Sequence, residues 1–330
     1  MHILEISSEP PGQSSGIGRS VRFESSGLQR LGHDVTVLHP RFRIGEFKLS
    51  TIGLRRYAEY DVVHVHGPTP LLSDLTLITN AGLPIVYTHY AEVEFGSRTG
   101  SQFYLRIHRS LARKARRVIV WTNEYARLFD GKATVIPPPI SMEPPERTPV
   151  KRDRFTALYV GQLRPFKGVD VLIAAGRLIP EADVWIVGDG WYKDRLLRAA
   201  RGLENIRFLG PIYEDSALRE VYSQAHVTVL PSLNTTEAYG LVSIEGALHG
   251  AVPVASDLLG VRENIAQLKG VTFRAGDARE LAGILRRLAQ DPHEWQLASA
   301  ETEKRARTYV ETHSVEAYAR QHEAVFEAIR

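Results

Sequence analysis

The chain alternates two textures. Short apolar runs, rich in β-branched residues and bounded by polar or turn residues, are followed by longer stretches whose apolar positions recur every three or four residues. In the first part the short runs fall at 3–6, 34–38, 61–65, 84–88 and 118–121, with helical patterns at 19–31, 70–80 and 101–116. Runs apolar on both alternating faces are those of strands covered on both sides, as in a parallel sheet. The rhythm then breaks. Pro137, Pro138, Pro139, Pro144, Pro145 and Pro149 crowd one stretch, where each fixes φ and removes a backbone donor. After it the alternation resumes, with strands expected at 156–160, 183–187, 206–209, 227–230 and 252–255. Helices are expected at 169–179, 192–201, 215–224, 241–249 and 278–289, then at 292–310 and 315–329.

This pattern gives an α/β chain of two doubly wound parallel sheets in tandem. The first domain covers 1–136, a linker 137–154, the second domain 155–312, and a C-terminal helical segment 313–330. Ligands of such sheets sit beyond the carboxyl ends of the strands, so two facing domains would hold their ligands in one cleft.

Composition narrows the class. A hydrophobic fraction of 43% and a charged fraction of 24% belong to a globular protein. No apolar run approaches the roughly 20 residues of a membrane span, and the first residues lack the pattern of a signal peptide, so the expectation is cytoplasmic. Without cysteine there is no disulfide, thiolate metal site or cysteine nucleophile. The formal charge of +3 is uneven: residues 1–150 carry 18 basic against 14 acidic residues, the remainder 23 against 24. Between positions 103 and 117, Arg106, Arg109, Arg113, Lys114, Arg116 and Arg117 meet no acid. A basic helix of this kind suggests an anionic membrane surface as partner, peripheral at its inner face, and no nucleic acid. The alternative is a solvated charged face.

Four groups of residues carry candidate chemistry. Glu237 and Glu245 flank Gly240, where the helical pattern starts, so one acid lies in the loop and the other in the helix's second turn. A carboxylate among Ile244, Gly246, Ala247 and Leu248 needs a hydrogen-bond partner. A sugar or ribose diol would supply one, and the helix start would favour a phosphate. Without a ligand, the same pair is a surface Glu237 and a Glu245 satisfied by protein donors. Gly161 to Gly168 follows a strand and precedes a helix. Its Arg164 and Lys167 put two cations where a diphosphate would sit, unless they only solvate a basic loop. Ser14, Ser15, Gly16, Ile17 and Gly18 follow the first strand but miss the third glycine of a dinucleotide fingerprint. His64 and His66 share one face of a strand, and no carboxylate or third histidine stands at metal-ligand spacing. His89, at the next strand end, is the better placed to reach a cleft. No Asp-x-Asp pair is present to hold a divalent ion on a sugar diphosphate.

Together these residues resemble the retaining GT-B glycosyltransferases of family four. The resemblance rests on Glu237 and Glu245, the loop 161–167, Gly188 to Gly190, Phe208 to Gly210, and Gly260-Val261 with Glu263. In the first domain it rests on Gly16 to Arg19, His64 to Gly67, and Thr88-His89. Two departures stand out: Ser15 precedes Gly16 where many relatives have a second glycine, and Arg262 replaces a common proline before Glu263. The resemblance implies that Arg164 and Lys167 hold the donor diphosphate, Glu237 the donor sugar and Glu245 the ribose. Tyr239, Gly240 and Leu241 would offer backbone groups, and Gly16 would approach the distal phosphate. His89 would contact the sugar near the reacting carbon, and Gly161, Gly188, Gly210 and Ile212 would line the donor site. The last helix would cross back to the first domain. The implied activity is retaining, cofactor-free and metal-independent transfer of a sugar from a nucleotide diphosphate to a glycan or lipid-linked acceptor. The alternatives are another GT-B sugar-nucleotide enzyme, such as an epimerase, or a non-catalytic nucleotide-sugar-binding protein.

Overall fold

The computed structural model describes residues 1–11, 16–40, 51–94, 98–146 and 148–330. In chain order its elements are β1 (His2–Ile6), α1 (Gly16–Arg30), β2 (Asp34–Leu38), β3 (Val62–Gly67), α2 (Leu72–Thr79), β4 (Ile85–His89), α3 (Arg98–Ala112), β5 (Arg117–Val120), α4 (Asn123–Ala126) and β6 (Ala133–Val135). There follow β7 (Thr156–Val160), α5 (Val169–Leu178), β8 (Asp183–Val187), α6 (Lys193–Ala199), β9 (Ile206–Gly210), α7 (Asp215–Gln224), β10 (Val227–Leu230) and α8 (Leu241–Leu248). The chain closes with β11 (Val252–Ser256), α9 (Val261–Gln267), β12 (Val271–Phe273), α10 (Ala278–Gln290), α11 (Pro292–Thr312) and α12 (Val315–Glu327). Short 3-10 turns occur at Thr51–Leu54, Arg127–Phe129 and Pro165–Lys167.

The chain divides into two compact units, Met1–Ser141 with Thr312–Arg330, and Met142–Glu311. The first division falls inside the proline-rich stretch, which carries no strand or helix among its described residues. Each unit holds one six-stranded, all-parallel sheet. The first is ordered β2-β1-β3-β4-β5-β6 and the second β12-β11-β10-β7-β8-β9. In each, the order reverses beside the first strand of the unit, between β1 and β3 and between β7 and β10. A crevice opens at such a switch point.

Burial explains the apolar runs. β3, β4, β8, β10 and β11 are buried at every position. In the first unit Ile3, Val62, Val86 and Ile119 from the sheet pack with Leu28 of α1 and with Tyr318, Val325 and Phe326 of α12. The terminal helix thus completes the core of the unit in which the chain began. In the second unit Val171, Leu172 and Ala175 of α5 pack with Leu281, Leu285 and Leu288 of α10 over β7, β8 and β10. Among the described residues, no helix is long and apolar enough to cross a membrane.

The sequence reading missed β6 and β12, three-residue strands at the sheet margins, and the short helices α4 and α9. It also ran α3 four residues too far. The helix stops at Ala112, Arg113 and Arg116 lie in the following turns, and Arg117 opens β5. The expected basic helix is therefore split among three backbone settings.

Candidate active site

The switch point of the second sheet is built from the segments leaving β7 and β10. After β7 the chain passes Gly161 and Arg164, makes the 3-10 turn Pro165–Lys167, and enters α5 through Gly168. Gly168 has φ 64°, and a Cβ there would lie 1.9 Å from the carbonyl oxygen of Pro231, just beyond β10. Only glycine lets the two segments touch. Leu233 N donates to Phe166 O at 2.7 Å and ties them further.

Across this seam Lys167 Nζ meets Glu237 Oε2 at 2.6 Å, and Ser232 Oγ donates to the same oxygen at 3.0 Å. Lys167 and Glu237, expected to meet phosphate and sugar separately, neutralise one another here. Arg164 is different: among the described residues its guanidinium has no ion pair or hydrogen bond, and the side chain is only partly buried. It is the cation left available at the seam.

The loop from β10 ends at Gly240, a left-handed residue that caps α8. Asn264 of α9 donates to the carbonyls of Tyr239 and Gly240 at 2.9 and 3.4 Å, which fixes the helix entry. Tyr239 is buried and Leu241 half-buried. The first-turn N–H groups of a helix lack intrahelical partners and lie at the positive end of its dipole. Glu245 lies inside α8, 6% exposed, and its Oε2 accepts from Tyr222 of α7 at 2.9 Å. One turn on, His249 Nδ1 donates to Glu245 O at 2.8 Å and its ring stacks on Tyr222. Gly246 packs α8 against Thr228 of β10 so closely that a Cβ would come within 2.2 Å. The helix carrying Glu245 is thereby seated directly on the switch-point strand.

The next strand ends are laced to the same seam. Gly161 N donates to Val187 O at 3.0 Å, Gly188 N to Gly210 O at 2.9 Å, and Leu163 N to Asp189 O at 2.9 Å. At Gly188, φ is 138° and a Cβ would strike Gly161 O at 1.8 Å, so glycine is again required. Ile212, half-buried, packs with Trp185, Val187 and Tyr222. Sequence reasoning missed Ser232, Tyr222 and Asn264. They act on the two acids or on the helix entry from other segments, and no local pattern marks them.

The first unit is arranged differently. Gly16 opens α1 with free space around it; Ser14 and Ser15 lie outside the described residues. His89 is wholly buried, its ring between Tyr125 and Phe129 at centroid distances of 5.4 and 5.2 Å, with Tyr87 OH 3.4 Å from Nδ1. The expectation that it reaches a cleft fails. It is the last residue of β4, and strand alternation turns it toward the layer of α3 and α4. Burial, with the charges of His108 and Arg109, pushes its pKa well below the ordinary histidine value.

His64 and His66 also belong to the core, with acids that spacing could not reveal. His64 bonds Glu24 Oε1 at 2.5 Å and Thr88 Oγ1 at 2.7 Å. His66 bonds Tyr90 OH at 2.7 Å and lies 3.9 Å from Glu5, while His322 of α12 lies 3.5 Å from Glu24. Donor atoms of Glu24, His64 and His66 lie within 4.8 Å of one another. Both nitrogens of His64 are already engaged, so the trio is a hydrogen-bonded core. Burial pushes Glu24 upward, but the charges of His322 and His64 and the bond from His64 outweigh it and hold the acid at about 2. Burial and the nearby Glu24 drive Glu5 the other way, well above the ordinary range.

The basic cluster is largely spent inside the unit. Arg109 pairs with Glu92 at 3.0 Å, Arg113 with Asp130 at 3.0 Å, and Arg116 donates to Ile329 O at 2.7 Å. Arg106 and Arg117 are exposed.

Known proteins match both units. A model described as "Glycosyl transferases group 1" matches residues 154–291, and one described as "Glycosyltransferase Family 4" matches residues 48–143. D-rhamnosyltransferase WbpZ of Pseudomonas aeruginosa is 26% identical over 290 residues, covering 82% of this chain and 72% of that one. Phosphatidyl-myo-inositol mannosyltransferase of Mycolicibacterium smegmatis is 30% identical over 251 residues, 69% of this chain and 62% of its own. Among solved structures, sucrose-phosphate synthase from Thermosynechococcus elongatus superposes with a TM-score of 0.79 at 20% identity, over 99% of this chain and 98% of the other. Anabaena HepE in complex with UDP gives 0.74 at 19%, over 99% and 100%. With a glycosyltransferase model on each unit, and relatives named as sugar transferases, the chain belongs to the family-four type of GT-B glycosyltransferases.

Proposed function

We propose that this glycosyltransferase takes its sugar from a nucleoside-diphosphate donor held at the β7–β10 switch point, without a metal ion and with retention of anomeric configuration. The observation that carries this reading is the seam itself, where Glu237 and Lys167 meet on the segment of Arg164, a cation unpaired among the described residues, and before the N-terminus of α8. Arg164 and the helix terminus offer the diphosphate charge-assisted hydrogen bonds. An entering phosphate competes with Glu237 for Lys167, which frees the carboxylate for sugar hydroxyls. Glu245, held by Tyr222 at the next turn, takes the ribose. Gly161, Gly188, Gly210 and Ile212 form the remaining wall, and Tyr239, Gly240 and Leu241 contribute backbone groups.

Catalysis in this reading is positional and electrostatic. The leaving diphosphate is stabilised by Arg164, Lys167 and the helix dipole, which take the place a divalent ion would hold. HepE, solved with UDP, supports a nucleotide at a site of this fold. The acceptor is a glycan or a lipid-linked sugar met at an anionic membrane surface, in keeping with WbpZ and the phosphatidyl-inositol mannosyltransferase as relatives. His89, sealed in the core of the first unit, is not part of the proposed contact set.

Donor turnover is the test. Hydrolysis or transfer from uridine-, guanosine- or adenosine-diphosphate sugars should persist in excess EDTA, and proton NMR of the first product should show the donor's anomeric configuration. Loss of turnover restored by manganese, or an inverted product, overturns the reading.

A further inference from the structure

Every large apolar side chain strongly exposed on the first unit, among the described residues, belongs to one of three packed elements or its end. Leu54 ends the 3-10 turn, Leu71 caps α2 and Ile78 lies in its last turn, and Phe103 and Ile107 lie on α3, each between 45% and 67% exposed. α2 packs on both the 3-10 turn and α3. The turn lies against the start of α2, because a Cβ on Gly53 would sit 3.0 Å from Leu72 O and from Leu75 Cβ.

α3 shows why this is not ordinary surface. Its inward stripe is Ser101, Leu105, His108 and Ala112, all buried. Its outward stripe, where polar residues belong, carries Phe103 and Ile107 with Arg106 and Ser110. The charges around the ridge are one-sided. Arg55, Arg56 and Arg106 are exposed. Of the two acids on these segments, Asp74 is consumed by His108 at 2.5 Å and Tyr104 at 3.2 Å, leaving Glu59. An apolar ridge rimmed by guanidinium groups complements an anionic lipid surface. The bilayer takes the apolar side chains below its headgroups, and the headgroup phosphates meet the arginines.

We infer that the ridge of Leu54, Leu71, Phe103 and Ile107, rather than the run of arginines after α3, is where this chain docks on an anionic membrane. The inference rests on the proposed lipid-linked acceptor and names the surface that would meet it. It assigns the anchoring to Phe103 and Ile107, with Arg55, Arg56 and Arg106 providing attraction. Arg109, Arg113 and Arg116 are left to internal bonds.

The test is flotation of the full chain with phosphatidylcholine vesicles, with and without phosphatidylglycerol, at low and high salt. Wild type should float with the anionic vesicles only. Phe103→Ser with Ile107→Ser should cut the bound fraction about tenfold or more, and Arg106→Ser with Arg55→Ser should weaken binding at low salt and leave a residual binding that is less salt-sensitive. Donor hydrolysis in solution, run in parallel, should be unchanged in both variants, which separates failure of the docking surface from failure of the proposed donor chemistry. The inference is overturned if wild type ignores anionic vesicles, or if the Phe103 and Ile107 variant binds as wild type does. A wild-type dimer that the same variant splits, with no vesicle binding, would make the ridge a subunit contact and equally overturn it.

Discussion

Each unit buries carboxylates beside the switch point of its sheet, and the two sets are finished in opposite ways. In the first unit Glu5 and Glu24 are fully enclosed by His64, His66 and His322. In the second, Glu237 and Glu245 are nearly buried at a strand end, Glu237 bonded by Lys167 and Ser232 and Glu245 by Tyr222. A sealed cluster can only fix geometry, because nothing enters it. One held by a few exchangeable partners at a strand end can trade them for a ligand. The difference separates a fold-specifying charge cluster from a candidate site more sharply than residue type does.

The largest effect should come from breaking the sealed cluster. Removing one partner of a buried ion pair costs about 3–5 kcal/mol, because the other is left uncompensated. Glu24→Ala should therefore lower the stability of the first unit by that order in denaturant unfolding. It should also loosen α12, since His322 faces Glu24 from that helix. A loss under about 1 kcal/mol would mean that the cluster is open to water and that the contrast between the units fails.

The second unit should answer in activity instead. A hydrogen bond to a charged group contributes about 1.5–3 kcal/mol, so Glu237→Gln and Glu245→Gln should each lower kcat/KM about tenfold to a hundredfold with thermal midpoints near wild type. Wild-type kinetics in both would remove the pair from the site. Destabilisation as large as that of Glu24→Ala would make them structural like their counterparts.

Much of this contrast could be read from the chain, and the part that could not is instructive. Apolar runs of four or five residues located ten strands, because strands covered on both faces leave no other pattern. Three-residue β6 and β12 are too short to leave one. Gly161, Arg164, Lys167, Gly240 and the two acids were legible because they fall within two local segments. Partnerships were not. Glu24 reaches His64 across 40 residues, and Tyr222 reaches Glu245 across 23. His89 was misplaced for a related reason. Its position at a strand end is local, but which layer covers that end is decided by α3 and α4.

The smallest effect concerns a histidine on the second unit's side of the comparison. His226 precedes β10, and its Nδ1 accepts from Thr156 N at 3.2 Å, which requires the neutral ring. Burial, helped by the charge of Lys151, lowers its pKa to about 4. Its unfolded value is near 6.5. Between these values the unfolded chain binds the proton and the folded one does not, so stability rises with pH across this window. Read downward, the stabilisation is complete above about 6.5 and drains away as pH falls toward 4. The amount is about 1–3 kcal/mol, below that expected for Glu24. Thermal midpoints measured from pH 7 to 4 should fall less steeply in His226→Phe than in wild type. Phe155 and Trp295, whose rings lie 5.0 and 4.9 Å from His226, can still pack on the substitute. Parallel curves would show that His226 is solvated, and that burial around β10 does not extend to the residue before the strand.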